Sequence, residues 1–272
     1  MATTRDGIVQ EATWVANARN GGGTYDPEGF GYPWRIVLHT IEGSTNPAVI
    51  AGHAYPPHLW YDPPTRKLYQ TVPLSRSAFA LYQAPDAPHY TNRARALQVE
   101  ISGRAAETAD WPQEWLTNIT TDVVVPLCQW VAQYQGAQIN LEWAPAPGPI
   151  PGSASATAAQ RVSPGIWAVN SGLYSHRHVP MGDDHWDTGG LDTPRIAAHA
   201  RLIIAGLIAP TEGEDDMPDY LLQANDTRTV VGRYPNGAVK PLAYHELMWL
   251  VNEKKVKVIA TDQANLDVIG VG

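Results

Sequence analysis

His39 closes a run of strong β-formers, Ile36-Val37-Leu38-His39-Thr40, and is followed by the loop Glu42-Gly43-Ser44. A histidine so placed is either a core residue with a satisfied hydrogen bond or a ligand facing a cleft at the strand's end. Much later, three histidines and three aspartates crowd between Tyr174 and Asp187, namely His176, His178, Asp183, Asp184, His185 and Asp187, and Gly189-Gly190 follows. That density exceeds what a solvated loop needs. Catalytic zinc takes three protein ligands, keeps one position open, and accepts imidazole nitrogen and carboxylate oxygen. Two histidines and one aspartate meet that requirement. A closed structural site would recruit thiolates, and the chain has a single cysteine, Cys128, so a catalytic site is the expectation. Glu100 also stands out, inside the apolar run Leu97-Gln98-Val99-Glu100-Ile101, where it either pairs with a buried arginine or faces solvent.

Holding such groups together takes a sheet. Residues 35–40, 58–62, 67–72 and 96–102 carry strand patterns. Asp62-Pro63-Pro64-Thr65 supplies turn chemistry at hairpin length, so 58–62 and 67–72 are expected as antiparallel neighbours. Residues 111–135 read as one long helix with Asp110 as cap, Pro112 in the first turn, Gly136 at the stop, and a bend at Pro126. Its apolar face would cover the sheet. The Pro/Gly/Ala/Ser-rich stretch 143–165 reads as a loop bordering a cleft, and 192–208 as a closing helix with Asp192 or Thr193 as cap and an early Pro194.

The fold class expected for residues 1–210 is therefore α/β, a central mixed β-sheet flanked by helices. The acidic run 211–219 reads as a linker. Residues 220–272 read as a small α+β unit, with strands at 220–224, 229–234 and 256–260, a turn at Asn236-Gly237, and an amphipathic helix over 242–254. At about fifty residues, it lies near the lower limit for independent folding.

Composition excludes several classes. The chain has 272 residues, 44% of them hydrophobic, enough for one large core and one small one. A formal net charge of -8 without any Lys/Arg cluster argues against a nucleic-acid partner. No apolar stretch is long enough to span a bilayer, and residues 1–23 lack the basic-then-apolar pattern of an export signal. One cysteine excludes internal disulfides and suits a reducing compartment. A monomer is the expectation. Trp is frequent (10) beside scarce Phe (2), and several Trp flank Pro or Gly, where they serve either loop packing or stacking on sugars.

Five short patterns occur in one order. His39-Thr40 leads from a strand into a small-residue loop; Pro57-His58-Leu59-Trp60 precedes Tyr69-Gln70-Thr71-Val72-Pro73; then come Leu97-Gln98-Val99-Glu100-Ile101-Ser102-Gly103, His176-Arg177-His178-Val179-Pro180 and Asp187-Thr188-Gly189. In order and spacing, over roughly residues 36–205, the chain resembles the zinc-dependent N-acetylmuramoyl-L-alanine amidases. That family includes phage endolysins, those of actinobacterial phages among them, and shares its fold with peptidoglycan recognition proteins.

The resemblance implies a Zn²⁺ cofactor on His39, His176 and Asp187, with Glu100 taking a proton from the attacking water. It places His185, where relatives usually have lysine, as the donor that steadies the oxyanion, and His58, Trp60 and Trp186 as substrate contacts. Three departures matter. Thr188 replaces a proline, Pro57 stands where some relatives carry a catalytic tyrosine, and His178 replaces an acid that would orient His176, which leaves His178 open as an alternative ligand.

The function implied is hydrolysis of the bond between N-acetylmuramic acid and L-alanine in bacterial peptidoglycan. Without an export signal, the expected setting is an endolysin that collects in the host cytoplasm and reaches the wall after release, with residues 220–272 binding the wall. Two further readings stay open: a recognition protein that binds peptidoglycan without cutting it, and a cytoplasmic amidase that recycles muropeptides. A metalloprotease is disfavoured, because no His-Glu-x-x-His helix is present.

Overall fold

The strand patterns fold into a six-stranded mixed sheet in a computed structural model that describes residues 3–17, 23–26, 30–43, 45–81, 92–147, 160–180, 187–205, 220–224, 230–233, 239–242 and 257–261. Its strands are β1 (Thr13–Trp14), β2 (Arg35–Thr40), β3 (Leu59–Asp62), β4 (Lys67–Gln70), β5 (Ala96–Ile101) and β6 (Gly172–Ser175), in spatial order β1-β4-β3-β5-β2-β6. β2 lies between β5 and β6 and runs parallel to both. All six residues of β2 and of β5 are buried, as expected of parallel strands covered on two faces. β3 and β4 form the expected antiparallel hairpin, with Leu59 opposite Gln70 and Asp62 opposite Lys67.

Alternation along the strands divides the side chains between two faces. Arg35, Val37 and His39 share a face with Ala96, Gln98, Glu100 and Trp60. On this face, Trp167 of α4 (Pro164–Val169) packs in a cluster with Val37, Ala96 and Tyr174, and Ile50 of α1 (Pro47–Gly52) packs with Trp60. The opposite face carries Ile36, Leu38 and Tyr61. There the Tyr61 hydroxyl donates to Asp122 (2.5 Å), and Arg66 grips the same carboxylate with two hydrogen bonds of 2.9 and 2.7 Å, fastening the helical segment to the hairpin.

That segment differs from the single helix expected over 111–135. It is α2 (Gln113–Ile119), a π-helical turn (Thr120–Val124) and α3 (Val125–Gln135), with Pro112 rather than Asp110 at its N-cap and Gly136 left-handed at its end (φ 61). Pro126 has no amide hydrogen to donate backward, and the wider turn just before it accommodates that loss. The closing helix forms as α5 (Thr193–Ile204), and Asp192 accepts the Arg195 amide (3.0 Å) as its cap.

Two strands and two α-helices of the first unit escaped the pattern reading: β1, α1, α4 and β6. Both short helices start from a capping residue followed by proline. Asn46 accepts the Val49 amide at 3.0 Å and Ser163 the Ile166 amide at 3.2 Å. α4 thus occupies part of the stretch expected as loop; residues 148–159 of that stretch lie outside the described residues. β1 brings the N-terminal segment onto the sheet, and the buried Gln70 side chain secures it by accepting the Val9 amide (2.9 Å) and donating to the Gly7 carbonyl (2.7 Å).

The chain divides into two compact units, Met1–Ala197 and Ala198–Gly272. The second contains a four-stranded sheet of β7 (Tyr220–Ala224), β8 (Val230–Arg233), β9 (Val239–Leu242) and β10 (Lys257–Thr261), ordered β10-β7-β8-β9. β10 and β7 are parallel and the other pairs antiparallel. The strand β9 was not expected. Residues 211–219, the Asn236-Gly237 turn and helix positions 243–254 lie outside the described residues.

Candidate metal centre

Two parallel pairings bring the chemistry together. The β2–β5 register sets His39 beside Glu100 on one face. The β2–β6 register pairs Leu38 with Ser175, so the residues that follow, His39 within β2 and His176 just past the end of β6, stand side by side. His176 thus opens a 3-10 turn (His176–His178) directly after a strand. Asp187 completes the cluster from the other side.

The ligand-capable atoms of His39, His176 and Asp187 all lie within 4.8 Å of one another. The two Nδ1 atoms are 3.1 Å apart, His176 Nδ1 is 3.1 Å from Asp187 Oδ1, and His39 Nδ1 is 3.5 Å from Asp187 Oδ2. Two imidazole nitrogens and a carboxylate facing one another so closely require a proton or a metal cation among them. Tetrahedral zinc at ~2.0–2.1 Å from such atoms would space them roughly 3.3 Å apart, so the donor set fits.

Burial pushes the Asp187 carboxyl up, but His176 and His39 beside it outweigh that and hold it well below the usual carboxylate range. Glu100 goes the other way. Its Oε1 is 4.0 Å from His39 Nδ1, and burial, together with the carboxylates of Asp187 and Glu42, raises its pKa well above the ordinary value. Its Oε2 has no hydrogen-bond partner among the described residues.

Local contacts fix the Asp187 loop. The Arg177 amide donates to the Asp187 carbonyl (2.9 Å), the buried Arg177 guanidinium donates to the Gly189 carbonyl, and the Thr188 hydroxyl donates to Ser175 Oγ (3.1 Å). Gly189 is left-handed (φ 60), and a Cβ there would run into the Ala105 carbonyl oxygen.

The remaining site candidates fall elsewhere. His178 turns back on its own turn, its Nδ1 accepting the Ser175 amide (3.3 Å), and it is not among the converging groups. His185 and Trp186 lie outside the described residues. His58 and Trp60, expected as substrate contacts, are fully buried. The Trp60 indole donates to the Thr71 hydroxyl (3.2 Å). His58 Nδ1 accepts the Gln98 amide (2.9 Å), which places the proton on Nε2, where it faces the Arg76 carbonyl (2.8 Å) and the Tyr25 hydroxyl (2.6 Å).

The environment of His58 has a consequence in acid. Burial lowers its pKa to about 4, against ~6.5 in the unfolded chain. The unfolded chain therefore takes up this proton first, so the stability that neutral His58 confers is complete above ~6.5 and drains away as pH falls toward 4, by about 3 kcal/mol. Denaturant unfolding between pH 7 and 4 should show His58→Gln with a shallower pH slope than wild type. Equal slopes would rule out His58 as the source.

Sequence reasoning passed over three residues that the structure places around the cluster: Glu42, Arg177 and Thr108. Only Arg177, inside the histidine cluster, carried a sequence signal, its place between two candidate ligands.

A mixed α/β sheet that gathers two histidines, an aspartate and a buried glutamate at the ends of its parallel strands defines a candidate metal centre. No protein-family model matches the chain, and no curated protein sequence does. Among solved structures it is similar to a selenomethionine derivative of AmpD, at 12% identity over 72% of this chain and 99% of that one, with a TM-score of 0.44. It is similar also to the Staphylococcus aureus hydrolase AmiA in complex with its ligand (13% identity, 75% and 89% of the two chains, TM-score 0.45). A third is the endolysin N-acetylmuramoyl-L-alanine amidase LysCS from Clostridium intestinale (14% identity, 64% and 86%, TM-score 0.34). At such distances the chemistry rests on the residues themselves.

Proposed function

We propose that the chain is a zinc-dependent peptidoglycan hydrolase that cleaves the amide between N-acetylmuramic acid and L-alanine. The observation that carries this reading is the convergence of His39, His176 and Asp187 beside Glu100, four residues that the resemblance to the amidases singles out and that four separate segments deliver to one point. Zinc held by the three would supply Lewis acidity, polarising an amide carbonyl and acidifying water.

The chain's own groups do the rest. Glu100, 4.0 Å from His39 and with Oε2 unengaged by the described residues, takes the proton of the attacking water and returns it to the leaving amine. Its raised pKa suits that exchange, because a carboxylate of ordinary acidity would hold a proton too weakly to deliver it. Asp187, kept ionised by the two imidazoles, contributes the negative charge that a divalent cation needs. His185 is assigned the role of oxyanion donor on the resemblance alone.

A complete ligand set with a glutamate beside it favours cutting over binding without cutting. No helix among the described residues is long and apolar enough to cross a membrane. The biological setting we propose is that of an endolysin, acting on the wall after release from the host cytoplasm.

Purified bacterial cell walls incubated with the protein should lose turbidity and gain new amino groups without new reducing ends, since an amide and not a glycosidic bond is broken. A chelator should stop the reaction and zinc restore it. Walls that gain no amino groups, or a reaction indifferent to the chelator, would overturn the proposal.

A further inference from the structure

The third ligand stands on a loop, where it has more freedom than the two histidines held at strand ends, and a metal site tolerates little such freedom. The structure grips that loop from a side the proposed chemistry does not use. A 3-10 turn (Ala105–Asp110) follows β5, and within it the buried Thr108 hydroxyl donates to the Thr188 carbonyl (2.7 Å), with the Ala105 carbonyl also in reach (2.9 Å).

The loop meets this turn at closest approach. A Cβ on Gly190 would come within 2.7 Å of the Ala109 Cβ, and Gly189 abuts the Ala105 carbonyl. The turn is itself tied to the strand of the first ligand. The Ala105 amide donates to Glu42 Oε1 (2.9 Å), which also accepts the Thr40 hydroxyl (3.1 Å), while the Thr40 amide donates to Asp187 Oδ2 (3.3 Å). A closed circuit thus runs from Thr40 through Glu42, Ala105, Thr108 and Thr188 to Asp187 and back to Thr40. Within this circuit Thr108 is the side chain that reaches the backbone of the ligand loop; the Arg177 guanidinium, outside the circuit, reaches it at Gly189.

We infer that Thr108 is a positioning residue for the metal: by holding the Thr188 carbonyl, its hydroxyl sets Asp187 at the distance from His39 and His176 that ion binding needs. The inference rests on reading the three groups as a metal site. It assigns the effect to the hydroxyl, so serine can replace threonine and valine, of nearly the same shape, cannot.

The test is zinc affinity without substrate, read by competition against a chromophoric chelator, for wild type, Thr108→Val and Thr108→Ser. Thermal melting of the metal-free forms accompanies it, to show that all three fold. Thr108→Val should weaken zinc binding by ~10–100-fold, the range over which partners outside the ligand set act, and Thr108→Ser should stay close to wild type. Thr108→Val binding zinc as wild type does, or Thr108→Ser binding as weakly as Thr108→Val, would overturn the inference. Wild type that binds no zinc would overturn the metal site itself, and the role of Thr108 would fall with it.

Discussion

His39→Ala is expected to lose both stoichiometric zinc and amide hydrolysis. Of the three converging groups, His39 is the one carried within a strand of the sheet, paired with Glu100 of β5. Removing it leaves one imidazole and one carboxylate, short of the three protein ligands of a catalytic zinc site. The loss should exceed the ~10–100-fold that follows when a partner outside the ligand set is removed. Metal content measured for His39→Ala, His176→Ala and Asp187→Ala beside His178→Ala decides the matter. The first three should lack zinc and the fourth keep it, since His178 turns its Nδ1 to the Ser175 amide. Zinc retained without His39, or lost with His178, would refute the ligand assignment.

Glu100→Gln separates proton transfer from metal binding. Glutamine keeps the shape of the side chain and its place opposite His39, yet cannot accept and return a proton. A drop in kcat of ~10²–10⁴-fold is expected, the usual contribution of a general base, with zinc content unchanged and KM little moved. Full activity in this variant would remove Glu100 from the mechanism. Loss of zinc along with activity would make it a ligand instead.

Much of the scaffold could be read from residue order because its signals are local. Residues 35–40 and 96–101 are strands with almost the expected limits, since an apolar β-branched run has few alternatives. The hairpin followed from its Pro-Pro turn, and α5 from Asp192 and Pro194. β6 was illegible for the opposite reason. Gly172-Leu-Tyr-Ser is short and opens on glycine, and it is a strand because it pairs with β2, a partner far away in sequence. Once that pairing is missed, His176 looks like a loop residue.

The same limit applies within the site. The donor types, two histidines and an acid, announce themselves in the sequence. Glu42 and Thr108 do not, because their roles consist of hydrogen bonds to residues 63 and 80 positions away. His58 and Trp60, assigned as substrate contacts by the resemblance, are both fully buried, which their place beside Pro57 in the sequence does not announce.

The separation of the two histidine ligands, 137 residues, has a meaning for the life of the molecule before any substrate arrives. During synthesis, the second histidine ligand follows the first by 137 residues, so this pair cannot close on a metal until the segment that ends in β6 has been made. Once the sheet is complete, an ion held at this point would act as a clasp between early and late parts of the first unit. At a hundredfold excess over its dissociation constant it would add about 2.7 kcal/mol against unfolding. The protein would therefore become harder to digest at the same moment as it becomes competent to digest.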